Sequence, residues 1–96
     1  MAKALYAPAA EEDLLHIAAF IAEDSPRAGR KWVQTIREKC DLLAANPGMG
    51  EERPGFGVAG CRCFSVGSYV VFFRPMQRGG VEVARIMHGS RDLRNL

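Results

Sequence analysis

The sequence predicts an α+β fold in which a hairpin of two helices packs on one face of an antiparallel sheet. Between residues 8 and 45, apolar residues recur at spacings of three and four, as on one face of a helix. After residue 60, apolar residues recur mainly at a spacing of two, as in strands. With 96 residues, the chain is expected to form one domain over residues 1–96 around a single core.

A short edge strand is predicted at residues 3–7, and Pro8 then begins the first helix. Proline suits the first helical turn because its missing N–H would have no partner there. Acidic residues 11–13 follow in the first turn or so, where the helix dipole favours negative charge. The apolar stripe then continues to about Glu23 through Leu14, Ile17, Ala18 and Ile21, with Leu15 and Ala22 widening it.

A second helix is predicted to begin directly after the first. Ser25 can cap its free amides, and Pro26 suits its first position. The helix is expected to stop before the residues NPGMG at 46–50, because proline and glycine end helices. Since the connection is so short, the two helices should form an antiparallel hairpin. One face of the second helix is marked by Ala28, Trp32, Val33, Ile36, Cys40 and Leu43.

Three strands are predicted in the second half of the chain, after an irregular loop at residues 51–60. CRCFSV at 61–66 alternates, and Gly67 with Ser68 suits a two-residue turn. YVVFFR at 69–74 is apolar on both faces and is the predicted central strand. VEVARIMH at 81–88 forms the last strand, so these three strands make an antiparallel meander.

Cysteine usage and hydropathy predict a soluble, cytoplasmic protein without a metal or other cofactor. Cys61 and Cys63 are too close in a strand for an unstrained disulfide, so we expect these thiols and Cys40 to be reduced and partly buried. A zinc site would need further ligands, and His16 and His88 are isolated in the sequence. The apolar run at 69–73 is far shorter than the roughly 20 residues of a spanning helix.

Charge is distributed unevenly along the chain. Residues 1–54 carry seven Lys and Arg against nine Asp and Glu, whereas residues 55–96 carry six Arg against two acidic residues. Arginine binds carboxylates and phosphates through two parallel hydrogen bonds. The second half is therefore expected to meet an acidic partner, which the charge alone leaves open as either nucleic acid or protein.

Four stretches occur in a fixed order: PAAEEDLLHIAAFIAEDSP at 8–26, NPGMGEERP at 46–54, CRCFSVGSYVVFFRP at 61–75 and VEVARIMHGSRDL at 81–93. In this order and spacing the sequence resembles the ParE branch of the ParE/RelE toxin superfamily, the toxins of bacterial toxin–antitoxin pairs. The resemblance implies inhibition of DNA gyrase without catalysis, and neutralisation by a ParD-like antitoxin. No membrane partner and no sequence-specific nucleic-acid binding are expected.

The resemblance also implies an antitoxin segment along the helical hairpin, which requires exposed apolar side chains, and sometimes an added strand on the sheet. Candidate antitoxin-binding residues are Leu14, Ile17, Ile21, Trp32 and Ile36, although each of them also suits the core. In ParE-like toxins the C-terminal segment is implicated in acting on the target. Candidate target-recognition residues are therefore Arg85, His88, Arg91, Asp92 and Leu93. The plainer interpretation of Arg91 and Asp92 is an exposed surface pair.

Two other functions remain open for such a sequence. RelE-type relatives cleave messenger RNA on the ribosome, and here Arg62, Arg74 and Arg85 would stabilise charge while His88 served as acid or base. Against this alternative, no lysine follows Lys39, and the stretch GSRDLRNL contains no aromatic residue. A structural or recognition role for His88 is therefore favoured over catalysis. The third possibility is an inactive module that only binds an antitoxin.

Overall fold

A computed structural model of the chain describes residues 3–52 and 60–89. Its elements are the strand β1 (Ala4–Tyr6), the helices α1 (Pro8–Asp24) and α2 (Pro26–Ala45), and the strands β2 (Glu51–Glu52), β3 (Arg62–Val66), β4 (Tyr69–Pro75) and β5 (Val81–His88). The strands form one sheet in the order β1-β5-β4-β3-β2. The predicted α+β fold is confirmed, and β4 is the central strand, as its apolar sequence indicated.

The sheet is mixed, with a meander at its centre and a parallel strand at one edge. The strands β3, β4 and β5 pair antiparallel, and β1 pairs parallel with β5 through Ala4, Leu5 and Tyr6. Part of the predicted loop is a strand, since Glu51 and Glu52 pair with Cys63 and Arg62. Two residues lack the length for a periodic signal, and their pairing depends on β3. The rest of that predicted loop, residues 53–59, lies outside the described residues.

The two helices form the predicted antiparallel hairpin. Ser25 is the one residue between them, and its side-chain oxygen accepts a hydrogen bond of 3.2 Å from the backbone N–H of Ala28. At the other end of α2, the N–H of Asn46 donates to the carbonyl of Leu42. Neither described helix is long and apolar enough to cross a membrane.

The main core lies between the hairpin and one face of the sheet. Its buried residues are Ala10, Leu14, Ile36, Cys40, Leu43, Ala44, Val71, Phe73, Val81, Val83 and Ile86. A smaller buried cluster contains Cys61, which directly precedes β3, together with Cys63 of β3 and Phe72 of β4. The three cysteines are free thiols and are buried, whereas the sequence predicted reduced thiols that are only partly buried.

Candidate functional site

An apolar groove of about 430 Å³ lies between α1 and α2 on the exposed side of the hairpin. Small residues form most of its wall, so a partner's side chain can approach the helix backbones closely. Arg30 contributes the one charge among the lining residues, which are Ala18, Ala19, Ala22, Pro26, Gly29, Arg30 and Val33. The groove is thus apolar along its floor and cationic at one side.

Close helix packing forms the floor of this groove. Gly29 is buried, and a Cβ atom at this position would lie 3.1 Å from the Cβ of Ala22. The missing side chain of glycine therefore allows the two helices to approach each other here.

An ion pair joins the two helices at a point further from Ser25 than the groove is. Arg37 Nη2 lies 3.7 Å from Glu11 Oε2, and both side chains are about half exposed. Between this pair and the groove, Leu15 is 69% exposed, and it lies three and four residues before Ala18 and Ala19. Helical spacing places Leu15 on the same side of α1 as those alanines, so it extends the apolar surface beyond the groove.

The predicted antitoxin-binding residues divide into two groups. Leu14 and Ile36 are 2% and 0% exposed and belong to the main core, so their side chains cannot reach a partner on the surface. Their placement corrects that part of the sequence prediction, which could not separate the buried from the exposed edge of an apolar stripe. Ile17, Ile21 and Trp32 are partly exposed. None of the five lines the groove.

Sequence reasoning missed most of the groove. Its walls are alanine, glycine and proline, which contribute little to an amphipathic pattern, and Leu15 was assigned only to the widened stripe. Large apolar side chains exposed elsewhere are Leu5, Phe20 and Leu42. The available signal was the clustering of Ala18, Ala19 and Ala22 on α1 opposite Gly29 on α2, since small residues at helical spacing permit close packing of two helices.

Arg62 holds the segment that follows α2. Its Nη2 donates to the carbonyl oxygens of Gly48 and Gly50 at 2.9 and 3.0 Å, and its Nε donates to that of Met49 at 3.3 Å. Gly50 has a φ of 85°, and an added Cβ would collide with the carbonyl oxygen of Cys63. The guanidinium of Arg62 therefore satisfies three carbonyls of a tightly packed turn.

Arg74 and Arg85 each pair with a carboxylate. Arg74 Nε lies 2.8 Å from Glu82 Oε1 on the neighbouring strand. Arg85 donates through Nε to Asp13 Oδ2 at 2.8 Å and through Nη2 to Asp13 Oδ1 at 3.1 Å. The second pair connects β5 to α1, so Asp13 contacts the sheet, whereas Glu11 is the acidic residue in the first helical turn. Of the acidic residues 11–13, which were predicted in the first turn or so, Glu11 lies in that turn.

His88 ends β5 and belongs to an aromatic row. Its ring packs edge to face on Tyr69 at 5.3 Å between centroids, and Tyr69 packs in the same way on Trp32 at 5.2 Å. The row extends from the sheet to α2. Beyond it, the N–H of Gly89 donates to the carbonyl of Ser68 at 2.8 Å.

The four residues considered for RNA cleavage are distributed over different parts of the sheet. Arg62 is on the face of Phe64, which packs on the main core, whereas strand alternation places Arg74 on the face of Phe72. Each of the three arginines lies within 4 Å of a carboxylate oxygen. In the described part of the chain, no three His, Cys, Asp or Glu side chains are arranged to hold a metal ion.

Arg91, Asp92 and Leu93, predicted to recognise the target, lie outside the described residues. Arg85 and His88 are therefore the described members of that set, and both are on the C-terminal half of β5. The structure thus presents two candidate surfaces, the groove of the hairpin and the end of β5.

Known proteins are similar to this chain both in sequence and in fold. Toxin ParE1 of Mycobacterium tuberculosis is 34% identical over 71 residues, which cover 69% of this chain and 67% of the relative. Toxin ParE1 of Caulobacter vibrioides is 33% identical over 63 residues, covering 66% of this chain and 62% of the relative.

Two solved structures resemble this chain in fold. A chain from the chromosomal ParDE toxin–antitoxin system of P. aeruginosa has a TM-score of 0.73 and 26% identity, over 92% of this chain and 96% of that one. A chain of the M. tuberculosis toxin–antitoxin complex RelBE2 has a TM-score of 0.59 and 18% identity, over 91% and 96% of the two chains, which shows the shared fold.

The family assignment rests on nearly the whole chain. The family described as the ParE toxin of the type II toxin–antitoxin system parDE matches residues 4–93, which include every helix and strand described above. The chain belongs to the ParE toxin family of type II toxin–antitoxin systems.

Proposed function

We propose that this chain inhibits DNA gyrase by binding it, as a single domain in the cytoplasm, and that a ParD-like antitoxin neutralises it. The observation that carries the proposal is the ParE family match over residues 4–93. Likeness to a chain of the P. aeruginosa ParDE system supports an antitoxin partner. Binding without catalysis or a cofactor is part of the proposal.

The groove between α1 and α2 is the proposed antitoxin site. It is apolar and open to solvent, and Leu15 extends it with a side chain that is 69% exposed. An amphipathic segment can bury its apolar face in such a groove. Because Arg30 is the charged lining residue, we expect a carboxylate of the antitoxin to pair with it.

The end of β5 is the proposed target-recognition surface. Arg85 and His88 lie there, and Arg91, Asp92 and Leu93 follow in the sequence. The side chain of Arg85 is 45% exposed, although it forms an ion pair with Asp13. This surface and the groove use different residues, so inhibition and neutralisation should be separable by mutation.

Absence of catalysis is supported by the environment of the arginines. A nuclease needs cations that can approach the scissile phosphate, together with an acid and a base in mutual reach. Here Arg62 is occupied by three backbone carbonyls, and Arg74 is paired with Glu82. Because these two side chains already bind groups of the protein itself, inhibition by binding is favoured over RNA cleavage.

Synthesis of DNA and protein should be followed together after the chain is induced without an antitoxin. Thymidine incorporation should stop within the first minutes while methionine incorporation continues, and the purified chain should block supercoiling by gyrase. Early loss of translation with cut messages would instead establish the nuclease function, and no effect on either would favour an inactive module.

Truncation tests the recognition surface separately. Ending the chain after Gly89 preserves the hydrogen bond from Gly89 to Ser68 and removes residues 90–96. Toxicity should be lost while antitoxin binding is retained, and replacing Arg91 and Asp92 together by alanine should have the same effect. A truncated chain that remains toxic would contradict the assignment of this surface.

A further inference from the structure

We propose that Asp13 is a positioning residue of the toxin, which holds the C-terminal half of β5 in the geometry that its target recognises. This inference rests on the proposed function of that half-strand. At the edge of the sheet, β1 ends before β5 does.

Pairing between β1 and β5 covers only the first part of β5. Its register runs from Ala4 opposite Val81 to Tyr6 opposite Val83, and the N–H of Ala7 then donates to the carbonyl of Val83 at 2.9 Å. The chain turns into α1 at Pro8. From Ala84 to His88, therefore, β5 has β4 on one side and no described strand on the other.

The carboxylate of Asp13 occupies that open side. Oδ2 accepts a hydrogen bond of 2.9 Å from the backbone N–H of Ile86, and the same oxygen lies 2.8 Å from Arg85 Nε. Oδ1 accepts from Arg85 Nη2 at 3.1 Å. One carboxylate thus replaces a missing strand partner and fixes the side chain of Arg85 through two parallel bonds.

Core packing holds Asp13 in this place. Ala10 and Leu14 are almost completely buried against the sheet, and they set the rotation of α1. Asp13 lies three residues after Ala10 and next to Leu14, so it is carried to the sheet edge. Its side chain is only 14% exposed, whereas that of Arg85 is 45% exposed, so burial is confined to the carboxylate side of the pair. Asp13 does not line the groove of the hairpin.

Two variants separate the two tasks of the carboxylate, and Asp24→Ala serves as the matched control. Asp24 is an exposed carboxylate at the end of the same helix. Asp13→Ala removes both acceptors. Asp13→Asn keeps an oxygen for the N–H of Ile86 but removes the charge that binds Arg85.

Three measurements should be made on each purified full-length variant: potency against gyrase supercoiling, affinity for the ParD-like antitoxin purified from its complex with this chain, and amide hydrogen exchange at Ile86. For Asp13→Ala we expect potency to fall by about tenfold or more and exchange at Ile86 to accelerate by a similar factor, while antitoxin affinity changes by less than about twofold. Asp13→Asn should retain slow exchange and show intermediate potency. Asp24→Ala should behave as wild type.

A merely structural role would lower potency and antitoxin affinity together, and that result would overturn the proposal. Full potency in Asp13→Asn would overturn the positioning of Arg85, even if Asp13→Ala failed to fold. If the wild-type chain does not inhibit gyrase, the proposed function is wrong, but the inference about Asp13 is not decided by that result. Growth arrest on induction then replaces supercoiling as the measure of potency, and the same comparison of variants decides the role of Asp13.

Discussion

A Cβ atom added to Gly29 would lie 2.9 Å from the carbonyl oxygen of Ala18, so α1 and α2 meet here almost backbone to backbone. Gly29→Ala must push the helices apart, since a carbonyl cannot rotate away as a flexible side chain does. Overpacking of this kind costs about 1–3 kcal/mol, which exceeds the gain of up to about 1 kcal/mol from replacing a helical glycine. Urea denaturation should show lower stability, and the altered groove should bind antitoxin less tightly.

Gly48→Ala is the control for this substitution. Among the described residues, no atom outside the neighbouring residues in the chain lies within 4 Å of a Cβ built on Gly48, so the stability of this variant should remain close to that of wild type. Gly29→Ala with unchanged or higher stability would show that the hairpin tolerates a wider separation of its helices.

Charge reversal at Arg30 tests the proposed chemistry of the antitoxin. Arg30→Glu places a carboxylate among the groove's lining residues, where it would repel the acidic residue expected on the partner. Antitoxin affinity should fall by tenfold or more, on the order of 1.4 kcal/mol, while gyrase inhibition persists. Isothermal titration calorimetry at two salt concentrations measures the affinity and its electrostatic part.

Lys31→Glu makes the same change of charge at the next residue, which is exposed but does not line the groove. Its effect on antitoxin affinity should be small. Equal losses in the two variants would mean that net charge governs binding, and that Arg30 has no specific partner.

Arg62 should be more important for stability than Arg74, although both are strand arginines. Arg62→Gln leaves carbonyls of Gly48, Met49 and Gly50 without their donors, and we expect a loss of about 2 kcal/mol. Arg74→Gln breaks an ion pair whose side chains are 46% and 32% exposed, and should cost under about 1 kcal/mol. Chemical denaturation of both variants checks this order, and a reversed order would contradict the structural role of Arg62.

Tyr6 is expected to make stability sensitive to alkaline pH. Its hydroxyl is buried without a hydrogen-bond partner of normal geometry among the described residues, beside Cys40. Burial raises the pKa of the Tyr6 phenol and of the Cys40 thiol. Both groups therefore keep their protons in the folded chain at a pH where the unfolded chain has lost them, and stability falls as the pH rises above about 9 to 10.

Tyr6→Phe removes the phenolic part of this effect. Since the buried hydroxyl has no hydrogen-bond partner of normal geometry among the described residues, the variant should be at least as stable as wild type near neutral pH, by up to about 1 kcal/mol. Denaturation curves between about pH 8 and 11, in a reducing buffer, should show a shallower decline than wild type. An identical pH dependence in the two proteins would show that Tyr6 does not contribute to it.

The residue pattern by itself determined the order and type of the main elements. A helical period, Ser25 followed by Pro26, and the residues NPGMG predict the hairpin, because these signals are local to the backbone that they shape. The two-residue period predicts the antiparallel meander, and the apolar sequence of β4 predicts that this strand lies at the centre of the sheet. Membership of the ParE family was also readable in the sequence, since four stretches in order carry it.

Tertiary structure alone decided what individual side chains do. The strand Glu51–Glu52 exists because it pairs with β3. Leu14 is buried whereas Leu15 is exposed, because the sheet covers only one edge of the apolar stripe to which both belong. Asp13 binds Ile86, which is 73 residues away along the chain. Such contacts depend on how elements pack across long sequence separations, and periodicity carries no information about that geometry.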